Sequence, residues 1–565
     1  MTAEQPSARP HTPVDAVADD YVDRYAALDP LLATELGIGG HDSQMTDLSP
    51  AGHAARADLT RSTLQRLDRV DPVDEEDVTT LEAMSYLLGT DLELDAAGET
   101  LRALNNIASP VQGLRDVFDL MATDTPDDWA AIAARLVELP GAVAGYTESL
   151  RAAAAHGDVA AARQVAEGIR QAAEQADPAT SFFPTLVAGA PERLAASLRI
   201  ELERGAALAA DAYAGLAQFL RDGLAPVAPE ADAVGRGRYE LLSRAFLGAT
   251  VDLDETYAWG LEQLAAITAE QEEVAARIAG PGATVDQAVA ALDTDPARTL
   301  HGTAALQEWM QRTADDAIAA LDGVHFDIPT AIKRLECRIA PTQTGGIYYT
   351  GPSDDLSRPG RMWWSVPADV TDFNTWRERT TVYHEGVPGH HLQVGLTVVN
   401  RDRLNRWRRL MAWTSGHGEG WALYAERLMA DLGFLEDDGD RLGMLDGQRM
   451  RAARVVFDIG VHLGLPAPEQ WGAGTWDADK GWALLRDNIR MPEPFIRFEW
   501  LRYLGWPGQA PSYLVGQRLW QQTRDHARRS ALARGETFDL RDFHDRSLSL
   551  GSLPLQVLPT AIARR

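Results

Sequence analysis

The sequence predicts a mainly α-helical protein with one small β element. Three observations carry that expectation. From about residue 13 to 330, apolar residues recur at intervals of three and four, with Ala, Leu, Glu and Arg between them. The stretch 337–367, CRIAPTQTGGIYYTGPSDDLSRPGRMWWSVP, breaks that rhythm with Gly, Pro, Thr and aromatic residues. Helical periodicity then returns over 373–459, 474–489 and 509–535. With 45% hydrophobic and 24% charged residues, the 565-residue chain has a globular composition and ample material for a core.

In chain order, residues 1–12 read as a loose tail. AVADDYVDRYAAL, ARADLTRSTLQRLDRV, DWAAIAARLVEL and VAGYTESLRAAAA read as amphipathic helices. Thr125 followed by Pro126 is a helix start, and Asp254 reads as the cap of a run ending at Gly280. IYYT and MWWSV read as short strands joined by a turn-rich loop. The predicted division is a tail at 1–12, a helical region at 13–336 and a region at 337–565, the last two separate or one continuous domain.

The formal net charge of −30 and the lack of a long Lys/Arg stripe argue against a nucleic-acid partner. The densest basic run, RDRLNRWRRL at 401–410, carries Leu404, Trp407 and Leu410 at helical spacing and reads as an amphipathic helix with a basic outer face. A single cysteine, Cys337, excludes an internal disulfide and any cysteine-rich metal site, and it reads as a buried structural thiol. The N-terminus has no apolar run behind a basic start, and no stretch reaches 18 uncharged apolar residues. The expectation is a cytoplasmic protein with no membrane partner.

The chemistry concentrates in TTVYHEGVPGHHLQ, 380–393. His384–Glu385 has the form of the first half of a zinc-hydrolase motif, but the position four residues on is Pro388, so the plain motif is absent. On an unbroken helix, His390 would be rotated about 120° from His384, and His391 would be in phase but roughly 10 Å away. Pro388 breaks the helical hydrogen bonding, and Gly386 and Gly389 ease an irregular turn. Either His390 or His391 is then a candidate second ligand. In SGHGEGWALYAERL, 415–428, Glu419 and Glu426 are seven residues apart on one helix face. Glu419 is the better third ligand, since it starts the helix among small residues. Glu426 suits the role of orienting a ligand histidine from behind. His417 is a further ligand or substrate-binding candidate.

YHEGVPGHHLQ, GEGWALYAERL, RYLGWPGQAPSYLVGQ and APTQTGG together resemble a bacterial family of uncharacterised proteins, domain of unknown function 885, over nearly the full chain. That family is similar in turn to helical zinc peptidases whose third ligand is glutamate. The resemblance implies a large helical metallopeptidase-like body whose small β element lies beside an active-site cleft. It implies one zinc ion, and a Gly-His pair that falls on Gly389–His390, favouring His390 over His391. The Glu-Gly-aromatic-Ala signature falls on Glu419–Ala422. Glu385 is then the general base for hydrolysis of peptide bonds in short peptides. Tyr513 or Tyr503, with Arg502, is expected to serve the oxyanion. Gly345 and Gly346 are expected to let an extended substrate approach the strand IYYT. Arg502, Arg490 and Arg497 are candidates to hold a substrate carboxylate. His462 and His544 read as structural. Two other functions remain open: a metal amidohydrolase acting on a non-peptide amide, and a helical binding protein with a vestigial site.

Overall fold

A computed structural model describes residues 9–340 and 346–565. Helices dominate it, and the strands are short and few, as the periodicity predicts. Of the expected tail, residues 1–8 lie outside the described residues. Residues 9–12 are not loose: the Arg9 guanidinium pairs with Asp15, Asp74 and Asp77, and Thr12 caps the helix Pro13–Leu28 through a capping box with Asp15.

Local starts follow the expected chemistry. Thr125 accepts the Asp128 N–H, with Pro126 in the first turn of Pro126–Ala155. One start differs: the helix Leu253–Ala279 is capped by Asp252, which accepts the N–H groups of both Asp254 and Glu255, so the expected cap at Asp254 lies inside the first turn. Gly280 ends that helix with φ 100°.

Two apolar cores organise the packing. One is built within residues 104–224, chiefly from the facing helices Pro126–Ala155 and Ala196–Phe219. The other draws on the N-terminal helices and on most of the chain from Tyr239 onward. Leu335 and Cys337, on either side of the expected division at 336, belong to this second core. Burial pushes the Cys337 thiol up to about 12, which makes it an inert packing group.

The β element is a three-stranded sheet. Gly360–Trp364 lies at its centre, parallel to Leu335–Ile339 and antiparallel to Ile347–Thr350. IYYT is therefore an edge strand. A two-stranded pair, Thr299–His301 with Asp372–Asn374, leads into the helix Thr375–Glu385. No helix among the described residues is long and apolar enough to cross a membrane.

The helices Ser415–Asp431 and Ser512–Ala533 cross at glycines. A Cβ on Gly420 would lie 2.5 Å from the Gly516 carbonyl carbon, and one on Gly516 would lie 2.3 Å from the Gly416 carbonyl oxygen. This backbone contact holds the start of the helix that carries Glu419 against the start of the helix that carries Tyr513. Adding a methyl there forces the helices apart, so Gly420→Ala is expected to lower unfolding stability by about 1–3 kcal/mol. Denaturant titration checks it; an unchanged midpoint would contradict the close crossing.

Candidate metal centre

The helix Thr375–Glu385 stops at the Gly386–Gly389 break, and a second helix, His390–Val399, starts immediately after it. The Gly389 N–H donates to the Tyr383 carbonyl and the His391 N–H to the Gly386 carbonyl, both at 3.0 Å. The Trp421 indole N–H, from the helix Ser415–Asp431, donates to the Pro388 carbonyl at 2.9 Å. A Cβ on Gly389 would sit 1.9 Å from the His384 carbonyl oxygen, so only glycine fits. The break turns the second histidine back toward the first: the His384 and His390 rings are 4.9 Å apart and nearly perpendicular.

Glu419 completes the group. Its Oε2 lies 3.3 Å from His384 Nε2 and 3.6 Å from His390 Nε2. Ligand atoms of the three residues all fall within 4.8 Å of one another. Ligands held about 2.0–2.1 Å from a tetrahedral zinc are spaced roughly 3.3 Å apart, so the donor set and its spacing fit that ion and leave a fourth position free. Glu426 stands behind His384. Its Oε1 accepts from His384 Nδ1 at 2.8 Å and its Oε2 from the Thr380 hydroxyl at 2.5 Å. That bond commits Nδ1 to donate and turns Nε2 toward Glu419.

Three carboxylates, Glu385, Glu419 and Glu426, are thus gathered around two imidazoles, in a place where unpaired charge is costly. Burial opposes a charge on His384, but its hydrogen bonds to Glu419 and Glu426 prevail and hold the ring up at about 10. Burial likewise opposes charge on Glu419, and the hydrogen bonds from His384 and His390 hold it well below its usual range. Glu385 accepts no hydrogen bond among the described residues, and burial pushes its carboxyl up against the attraction of His390, His384 and Arg451. A ligating imidazole is neutral, so seating a cation here releases the His384 proton.

A cavity of about 400 Å³ opens over the group, lined by His384, Glu385, His390, Glu419 and Tyr513. The edge strand supplies Ile347, Tyr348 and Tyr349 to the same cavity. A neighbouring cavity of about 360 Å³ has a largely apolar lining and shares Val394 and Trp413 with the first.

The other expected residues fall in different places. His391 is fully buried: Nε2 donates to the Ile332 carbonyl at 2.8 Å, which leaves Nδ1 to accept from the Tyr349 hydroxyl at 2.9 Å. It pins the sheet to the second histidine helix and stands outside the ligand group. His417 is buried edge-on against Trp520, outside the cavity lining. Tyr513 lines the cavity, and its hydroxyl accepts from Arg502 at 3.4 Å. Tyr503 lies behind, donating to Glu499 and accepting from Arg454 at 2.6 Å. Arg502 is held by Glu499 and Gln509, and Arg490 by Asp286 and Asp446, while Arg497 is exposed; none of the three lines the cavity. Gly346, with φ 76°, directly precedes the edge strand, and Gly345 lies outside the described residues. His462 donates to the Tyr503 carbonyl and stacks on Tyr239, and His544 bonds the Tyr424 hydroxyl and stacks on Phe326. The cavity also holds three groups that sequence reasoning passed over: Trp413, Arg451 and Arg454. The two arginines were discoverable as an i, i+3 pair in the otherwise apolar run MRAARVVF.

The sequence profile described as "Bacterial protein of unknown function (DUF885)" matches residues 30–562. No curated protein matches the chain. Among solved structures, one from Colwellia psychrerythraea described as a "putative lipoprotein" superposes with a TM-score of 0.82 at 22% identity, covering 97% of this chain and 98% of that one. Another from Shewanella oneidensis, described as a "putative lipoprotein of unknown function", gives 0.74 at 15% identity, covering 97% and 99%. At these identities the likeness is one of fold.

His390 and His391 are expected to separate on mutation. His391→Ala removes a buried bridge and leaves the Tyr349 hydroxyl unpartnered, lowering stability by about 1–3 kcal/mol. His390→Ala, on the cavity wall, costs less. Thermal unfolding of both variants checks the order, and the reverse order would contradict it.

Proposed function

We propose that this chain, which belongs to the DUF885 family of bacterial proteins of unknown function, is a zinc-dependent hydrolase of peptide bonds in short peptides. One observation carries the reading. His384, His390 and Glu419 converge on one point of a cavity, and the buried Glu385 beside them is not used as a ligand. A purely structural histidine–carboxylate cluster has no need of that fourth group.

Bound by those three residues, zinc supplies Lewis-acid polarisation of the scissile carbonyl and a more acidic water. The protein's own groups do the rest. Glu385 takes the proton of the attacking water and returns it to the leaving amine, a task for which a carboxyl raised by burial is suited. The Tyr513 hydroxyl donates to the carbonyl oxygen as charge develops there, and the Arg502 contact at 3.4 Å steadies that hydroxyl. The edge strand Ile347–Thr350 offers unpaired backbone groups to an extended peptide. The apolar cavity reached past Val394 and Trp413 takes a substrate side chain. Glu426 fixes the ring of His384.

Zinc-loaded protein incubated with a mixture of short peptides and followed by mass spectrometry tests this. Defined cleavage products are expected. Glu385→Gln should reduce the rate by about 100-fold or more with metal content unchanged. Intact peptides throughout, or a Glu385→Gln protein as active as its parent, would refute the reading. Cleavage of non-peptide amides alone would move it to the amidohydrolase alternative.

A further inference from the structure

Two arginines line the cavity together with its carboxylates. Arg451 and Arg454 stand one turn apart on the long helix Asp438–Leu463, and both line the space that holds the ligand group. Their partners do not account for them. Arg451 attracts Glu385 and Glu426 through space but makes no ion pair or hydrogen bond among the described residues, and its Nε is buried without a partner. Arg454 is 4% exposed. Its Nε donates to Tyr503 and one terminal nitrogen to Glu499 at 2.9 Å, but its other terminal nitrogen is also buried and unpartnered. Glu499 is shared: Arg502 donates to its second oxygen at 3.0 Å. Two guanidiniums therefore share one carboxylate. A buried donor left unpaired costs on the order of 1–3 kcal/mol, more for a charged group, so the two arginines favour an incoming acceptor. The Arg454 guanidinium lies 4.8 Å from the centre of the Tyr513 ring, which ties the arginines to the reacting groups.

Resting on the hydrolase reading above, we propose that Arg451 and Arg454 receive the free C-terminal carboxylate of the peptide. The enzyme then cuts near the C-terminus. Guanidinium donors suit a planar carboxylate, to which they can bond in parallel. A phosphate dianion suits the cavity less well, because Glu385 and Glu419 line it too. The arginines and the ligand group share one cavity of about 400 Å³, so the carboxylate and the scissile bond belong to the same short stretch of substrate. The arginines chosen on sequence grounds, Arg490, Arg497 and Arg502, do not take this role.

The test separates binding from chemistry. Zinc-loaded Glu385→Gln protein is titrated calorimetrically with a panel of N-acetylated dipeptides and with their C-terminal amides. The free acids are expected to bind roughly tenfold or more tightly than the amides, the scale of one charge-assisted contact. Arg451→Gln should bring that ratio close to one. Arg451 is partly exposed and lacks an ion pair, so its replacement leaves the fold intact, and the comparison of acid with amide needs no variant at the arginines. Equal binding of acid and amide, no binding of either, or a preference that survives both Arg451→Gln and Arg454→Gln overturns the proposal. Hydrolysis by the native protein is read separately. Acid-dependent binding without cleavage sinks the hydrolase reading and leaves the carboxylate site standing. Cleavage of acids and amides alike, with equal binding, does the opposite.

Discussion

At Gly389 the backbone comes so close to the His384 carbonyl that a single methyl group would lie 1.9 Å from its oxygen. That contact is the inner wall of the break between the two histidine helices, and the rest of the centre depends on it. A continuous helix would carry His390 about 9 Å along the axis and a third of a turn away from His384. The break brings the rings to 4.9 Å. The Trp421 indole holds the outer side through the Pro388 carbonyl. The same helix delivers Glu419 to both imidazoles and Glu426 to the back of one. Its glycine crossing with Ser512–Ala533 adds Tyr513 to the cavity. Geometry at one loop is thereby transmitted to every group in the centre.

Charge explains why these elements meet at a buried place. Glu385, Glu419 and Glu426 gather negative charge where solvent is scarce, and His384 alone touches two of them. Such a cluster is stable only with compensation. Part comes from the protonated imidazole, which a divalent cation can replace. Part comes from Arg451, which attracts Glu385 and Glu426, while deeper in the wall Arg454 and Arg502 divide one glutamate.

Helices were readable because their signals are local. Thr125–Pro126 announces a start, and IYYT and MWWSV stand out as strands against Ala- and Leu-rich surroundings. Cap position was less readable: Asp252 and Asp254 are both good caps two residues apart, and the composition does not rank them. The centre was partly readable for the same reason. His384, Glu385, Glu419 and Glu426 announce themselves by spacing on single helices. Whether His390 or His391 turns inward is decided by the shape of a loop, and His391 is withheld by Ile332 and Tyr349, which are distant in sequence. Arg451 and Arg454 show in the sequence as an i, i+3 pair, but their partners lie on other helices, and Glu499, which Arg454 shares with Arg502, is 45 residues away. No local pattern reports that.

The central claim is that His384, His390 and Glu419 form one metal site. X-ray absorption at the zinc edge, on protein given one equivalent of zinc, tests it most directly. The expected first shell has two imidazole nitrogens and light oxygen ligands at about 2.0–2.2 Å, and Glu419→Ala should lose it. A shell without imidazole, or one unchanged in Glu419→Ala, would contradict the account.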